Sequence, residues 1–371
     1  MNDCGQTPDP GDRMHEGPAI PDDGQALQPT GQRNSSQEMI RLATGYRLSQ
    51  AIYVFTRLGI ADLLASGART SDELARAAGA HAPSLYRLLR VLTACAVVSE
   101  SRPGTFALAP AGMCLRRDAP DSVYSTVLLF GSENFWTTWG DLAHCIRTGE
   151  TAFSHLFGVD GTFDWLATHP EDAALFDAGM ADVAMMIARA ILASYDFSFA
   201  RVVVDVGGGR GELISSVLDA HPGLRGVLYD LPRVAEAARE KLGRAGMADR
   251  CDAIGGDILS SVPGGGDVYL LSRVIHDWDD EKSILILRNC RAAMAQTSRL
   301  LLAERTIPET IEPGVHAQTQ LLSDLNMLVR NGGRERTDTE YGALLAAAGL
   351  RISRTIPTGT EIGLIEATPS C

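Results

Sequence analysis

The chain has 371 residues, 45% of them hydrophobic, and a formal net charge of -13 at pH 7; it can bury a large core, and its length sets a prior of about two domains. The acidity argues against a broad nucleic-acid surface, which needs Lys and Arg to neutralise phosphates, and it suits an enzyme of small molecules. Seven scattered cysteines without a CxxC pair imply neither a zinc site nor a disulfide framework, and without a run of ~18 apolar residues or a secretory signal layout the expected location is the cytoplasm, away from membranes.

Residues 1–37 carry five prolines, five glycines and no aromatic residue, a composition that cannot offset chain entropy by burial. A flexible tail is expected there. From Glu38, "MIRLATGYRLSQAIYVFTRLGIADLLA" repeats apolar residues at helical spacing, with Gly59 marking a break between helices. In "TSDELARAAGAHAPSLYRLLRVLTACAVVSE", Ser71 reads as an N-cap ahead of Asp72 and Glu73, and Pro83 opens the next helix at its first turn. "AVVSE" and "TFALAP" read as a two-stranded wing. Together these predict a winged helix-turn-helix, in which "SLYRLLR" with Arg87 and Arg90 would be a DNA-recognition helix. The neighbouring acids Asp72, Glu73, Glu100 and Asp118, and the lack of a basic stripe, favour a structural, dimer-forming module over a DNA-binding regulator.

Residues 122–195 read as helical and rich in aromatic and sulfur side chains, among them Phe135, Trp139, Phe153, Trp165, Met180, Met185 and Met186. Most belong in a core, and some suit the wall of a site for a flat ligand. After Phe199 strand and helix alternate, which predicts a mostly parallel, doubly wound α/β sheet with ligands at the carboxyl ends of its strands.

"VVVDVGGGRGELISSVL" is the most informative stretch. A strand ends at Asp205, the chain turns through Gly207, Gly208, Gly209 and Gly211, and a helix begins near Glu212. A dinucleotide fingerprint would want glycine where Glu212 stands, and a carboxylate at that helix N-terminus would oppose a pyrophosphate. S-adenosylmethionine carries an ammonium group and no phosphate. Asp205 suits that charge, Asp230 at the end of the second strand can accept from ribose hydroxyls, and Asp257, closing the third, can reach an adenine amino group.

With "DVGGGRGELISSVLDAHP", "LYDLP", "GGDIL", "LSRVIHDWDDE", "LLAERTIP" and "NGGRERTDTEYGALLAAAGL" in this order, the chain from about residue 38 resembles the plant-type and bacterial small-molecule O-methyltransferases, including anthracycline and mitomycin tailoring enzymes. The resemblance implies a helical winged-helix dimerisation and substrate-wall domain over residues 38–195. It also implies a Rossmann-like methyltransferase domain over residues 196–371, S-adenosylmethionine as cofactor without a metal, and a homodimer acting on an aromatic small molecule. It implies His276 as general base, with Glu304 and Glu335 flanking it. Gly207, Asp230, Asp257, Ile258, Ser272 and Arg273 match cofactor-contacting positions, and Met180, Asp277, Asn326 and Met327 match substrate-holding ones. Plant members usually carry Lys where this chain has Arg273. O-methylation of a phenol is the expected reaction; N-methylation, or hydroxylation or decarboxylation of a polyketide by a cofactor-binding relative, is the alternative.

Overall fold

The computed structural model describes Met1 and residues 35–370. Most of the expected tail lies outside the described residues, but Ser35–Gln37 belong to a helix, Ser35–Ala43, that starts earlier than the sequence reading placed it. Glu38 in its first turn complements the helix dipole and pairs with Arg41 at 2.6 Å. The described residues up to Arg47 and those from Leu48 onward fall into two units.

The helix Tyr46–Arg57 is followed by Gly59, whose φ of 65° lets the chain turn into the helix Ile60–Leu64, as the sequence suggests. Strand β1 (Arg69–Thr70) leads into the helix Ser71–Ala78. Its N-cap is Thr70, not Ser71: the Thr70 hydroxyl accepts from the Glu73 amide while the Glu73 carboxylate takes the Thr70 amide. The T-x-x-E spacing of a capping box decides the register. Helix Ala82–Ala94 has its proline in the first turn, with Arg87 and Arg90 exposed. Strands β2 (Val98–Arg102) and β3 (Thr105–Leu108) form the wing. It has three strands instead of two, because β1 pairs antiparallel with β3. Phe55, Ile60, Leu74, Leu89, Leu92 and Phe106 close this part's core.

Six helices between Tyr124 and Ser194 follow, ending in the long helix Pro170–Ser194. Seven strands then build one sheet: β4 (Val202–Val206), β5 (Arg225–Asp230), β6 (Cys251–Gly255), β7 (Val268–Ser272), β8 (Arg299–Glu304), β9 (Leu350–Pro357) and β10 (Gly363–Pro369). Their order is β6-β5-β4-β7-β8-β10-β9. β4 to β8 pair parallel with one another, and β10 alone runs the other way, antiparallel to both of its neighbours, β8 and β9. Val202–Val206 and Leu300–Ala303 read as nearly unbroken apolar runs because helices cover both faces of the sheet. The order reverses between β4 and β7, so the carboxyl ends of these strands open a crevice where an α/β sheet takes its ligand.

One helix escaped the sequence reading. Val315–Arg330 spans "VHAQTQLLSDLNMLVR", between β8 and the helix Asp338–Ala347. Among the described residues no helix is long and apolar enough to cross a membrane.

Candidate active site

Two clusters form at the carboxyl edge of the sheet. The first is the glycine turn after β4. Gly207, Gly209 and Gly211 hold φ of 72°, 58° and 86°, values that side-chain-bearing residues rarely adopt. A Cβ on Gly207 would stand 2.7 Å from Val274, and one on Gly208 would stand 2.8 Å from the Asp205 carboxylate. β4 runs one residue past Asp205, to Val206. The Asp205 side chain therefore lies beneath the turn, 1% exposed, with no well-formed hydrogen bond to either oxygen. Burial, with Asp230 and Glu212 adding like charge, pushes its carboxyl up to about 7 against the Ile214 amide.

Asp230 ends β5 as expected. One oxygen accepts from the Gly209 amide at 2.8 Å and the other from the Leu231 amide at 2.7 Å, so it ties the turn to the second strand. Asp257 does not close the third strand: β6 stops at Gly255, and Asp257 caps the loop beyond it by accepting from Leu259 N at 2.9 Å. It is exposed, with Ile258 half-buried beside it. Ser272 ends β7. Arg273 follows with φ of 54°, a left-handed conformation uncommon outside glycine, fixed by its amide bonding to Ala303 O at 3.0 Å. Its guanidinium lies 3.7 Å from Met180 Sδ, which brings the long helix to the same edge.

That left-handed residue turns the chain from β7 into a single 3₁₀ turn, Ile275–Asp277, which carries the second cluster. His276 is 2% exposed. Its Nδ1 stands 3.2 Å from Glu335 Oε1 and 4.0 Å from Glu304 Oε2, and its Nε2 is 3.7 Å from Asp277 Oδ1. Since a carboxylate only accepts, Nδ1 carries the proton shared with Glu335, and in the neutral ring Nε2 is left as the basic nitrogen. Glu304, at the end of β8, accepts through Oε1 from the Val274 and Ile275 amides at 3.0 and 2.8 Å, fixing the turn's entry. Glu335 accepts from Ser323 Oγ at 2.8 Å and faces Arg305 at 3.6 Å.

The protonation states follow from these partners. Burial opposes a charge on His276, but Asp277, Glu335 and Glu304 outweigh it and raise the imidazole to about 8. Burial opposes a charge on Glu335 too, yet His276, Ser323 and Arg305 draw it down to about 2. Glu304 lacks those extra partners, its Oε2 accepts no hydrogen bond, and burial pushes it up to about 7. Ligand atoms of His276, Glu304 and Glu335 lie within 4.8 Å of one another, the one group of this kind among the described residues that could hold a metal ion.

Arg336, which sequence reasoning passed over, braces the turn. It is fully buried and donates to Ile275 O at 3.2 Å, Trp278 O at 2.8 Å and Asp280 Oδ1 at 2.8 Å. The carbonyls on both sides of His276 are thus held by one planar group. The Arg334 amide donates to His276 O at 2.9 Å, and a Cβ on Gly333 would strike that oxygen at 2.1 Å. The substrate-side residues are brought only partly together. Asp277 accepts from Asn331 at 2.6 Å beside His276; Asn326 accepts from Trp139 Nε1 at 3.0 Å; Met327 is buried.

A glycine turn over a buried acid, and a buried imidazole between carboxylates one strand away, form a two-cluster candidate site at the carboxyl edge of the sheet. Comparison with known proteins agrees: residues 139–351 match the model of the O-methyltransferase domain and residues 40–118 that of the O-methyltransferase dimerisation domain. The chain is 42% identical to a phenazine O-methyltransferase of Lysobacter antibioticus, over 90% of this chain and 96% of the relative. It is 40% identical to a mitomycin biosynthesis 6-O-methyltransferase of Streptomyces lavendulae, over 89% and 93%. Another relative, 34% identical over 90% of this chain and 97% of its own length, is a phenazine-1-carboxylate N-methyltransferase of Pseudomonas aeruginosa. The solved structure of a methyltransferase in calicheamicin biosynthesis, in its SAH-bound form, superposes with a TM-score of 0.81 at 35% identity, covering 91% of this chain and 98% of that one. The chain belongs to the O-methyltransferase family.

Proposed function

We propose that this chain methylates a phenolic hydroxyl of an aromatic secondary metabolite, using S-adenosylmethionine, with His276 as general base and as a homodimer. The observation that carries the reading is His276 itself, buried, oriented through Nδ1 by Glu335 and left with Nε2 as its basic nitrogen.

The glycine turn fits the cofactor. Its cradle would be filled by any Cβ at Gly207 or Gly208, and the orphaned Asp205 carboxylate beneath it complements a cationic ligand. Asp230 and Asp257 would accept from the ribose and the adenine amino group. Gly207, Ile258, Ser272 and Arg273 would line the rest, and Met180 would stand between cofactor and substrate. When bound, S-adenosylmethionine supplies an electrophilic methyl on a sulfonium.

This chain's residues hold the hydroxyl in line and take its proton. A phenol of pKa about 10 is only about 0.1% ionised at pH 7, a handicap of roughly 4 kcal/mol. A positioned base returns about 10² to 10⁴ in rate, which nearly covers that handicap. Glu335 holds the imidazole ring and stabilises the imidazolium once it forms. Glu304 fixes the turn that carries it. The dimer is supported by the dimerisation-domain match and by the exposed Met39, Ile40 and Leu42 on the first helix.

Mass spectrometry after incubation with labelled cofactor and a panel of phenols, quinones and N-heterocycles tests the reading. O-methylated phenols are expected. Exclusive N-methylation, the reaction named for the Pseudomonas relative, would overturn it.

A further inference from the structure

We propose that Arg330 reads an anionic group, a carboxylate, at the end of the aromatic substrate opposite the hydroxyl that is methylated. The inference rests on the methyltransferase reading above.

Arg330 is the last residue of the helix Val315–Arg330 and is only 4% exposed. Its guanidinium lies over the Phe135 ring at 3.6 Å and the Phe153 ring at 4.8 Å. Nη1 donates to neutral oxygens, Asn134 Oδ1 at 3.0 Å and Thr138 Oγ1 at 3.4 Å. No carboxylate among the described residues comes within 4.0 Å, and Asp172, the acid that acts on it at longer range, accepts from Trp165 Nε1 at 2.6 Å. Arginine keeps its proton in proteins, so a buried guanidinium without a counter-ion carries a desolvation cost that an arriving anion would offset. Burial already pulls this group down to about 9.

Its position connects it to the chemistry. Ser323, Asn326 and Arg330 fall at i, i+3 and i+7, on one face of the helix. Ser323 touches Glu335, and Glu335 touches His276. Seven residues at the helical rise set Arg330 about 10.5 Å along the helix from Ser323, a span on the scale of a fused-ring aromatic acid. The cavity at Arg330, lined also by Leu129, Ser132, Phe135, Asp172 and Phe176, measures about 10 Å³. It has room for a group about the size of a water molecule, such as one carboxylate oxygen, and not for a ring. The aromatic body would lie along the helix face while only its anionic end enters.

The test compares fused-ring phenols bearing a distal carboxylate with their carboxamides, by kcat/KM and by equilibrium binding. In the wild type the acids should be favoured by about 10- to 100-fold, the range for a hydrogen bond to a charged group. Arg330→Gln should abolish that preference by lowering kcat/KM for the acids about 10- to 100-fold more than for the carboxamides, and Arg330→Lys should keep part of it. Equal treatment of acid and amide by the wild type, or equal losses on both in Arg330→Gln, overturns the proposal and leaves Arg330 as cement between two phenyl rings. Should the glutamine variant not fold, the wild-type comparison and the lysine variant decide. Methylation of carboxamides without preference would sink only this inference; failure to methylate any phenol would sink the O-methylation reading, and the binding comparison would still judge Arg330.

Discussion

Nδ1 of His276 lies 3.2 Å from Oε1 of Glu335, with both side chains sealed from solvent. The pair fixes which nitrogen is basic and how readily it gives up its proton. With the imidazole near 8, the ring is mostly protonated at neutral pH. Turnover of a phenol should therefore rise with pH through an apparent pKa of about 8. Glu335→Gln removes one of the charges that raise it, so the limb should move to lower pH while kcat falls. Rate profiles of both proteins check this, and an unmoved limb would mean that Glu335 does not govern the base.

His276→Ala should lower turnover by about 10² to 10⁴ and leave cofactor affinity nearly intact, because the ring's polar partners are Glu335, Glu304 and Asp277 rather than the glycine turn. Raising the pH should partly rescue the variant, and an acidic phenol should be less sensitive. The same residue sets a stability slope. Its folded value of about 8 lies above the ordinary 6.5, so the stabilisation is fully present below pH 6.5 and lost as pH rises through 8. The difference corresponds to about 2 kcal/mol. Denaturant melts across that window should be flatter in the variant than in the wild type.

Asp205→Asn separates stability from binding. The carboxyl sits near 7 because burial disfavours its charge. A raised acid destabilises the fold as pH climbs from 3.8 through 7, by up to about 4 kcal/mol. The amide removes that penalty, so the variant should melt higher than the wild type at pH 8 and equally at pH 4. It should also bind the cationic cofactor more weakly, as calorimetry would show. Unchanged affinity would mean that Asp205 only supports the turn.

Much of this was legible in the sequence because the signals were local. "VVVDVGGGRG" requires a strand and a tight turn, and the order of the separated motifs located His276, Glu304 and Glu335. What escaped depends on partners distant in the chain. Arg336 reads as one more charge in "GGRERT", and only the fold sets it against Ile275 and Trp278. Arg330 did leave a trace, a lone cation ending the apolar "MLV", which the undetected helix concealed. The cap at Thr70 was missed by one position because Thr and Ser are both good caps, and only the glutamate three residues on distinguishes them.

Arg336 carries the last prediction. Its guanidinium joins the carbonyls of Ile275 and Trp278, on either side of His276, to Asp280 at the start of the helix Asp280–Ala293. Lysine can keep the charge beside Asp280 but cannot span both carbonyls, so the turn should relax by a fraction of an ångström to an ångström. Misplacement by about 1 Å costs on the order of 10² in rate. Arg336→Lys should therefore lower kcat far more than it changes KM or cofactor affinity. The pH limb should remain, since the carboxylates around His276 are untouched. Asp280 is half exposed but is the carboxylate that pairs with the buried Arg336, so Asp280→Asn should cost about 1.5 to 3 kcal/mol of stability and only a few-fold in kcat. Kinetics alongside melting of both variants checks the assignment. A loss of rate that merely follows the loss of folded protein would make Arg336 a structural residue, whereas a folded lysine variant with a specific kcat defect would make it the brace that positions the base.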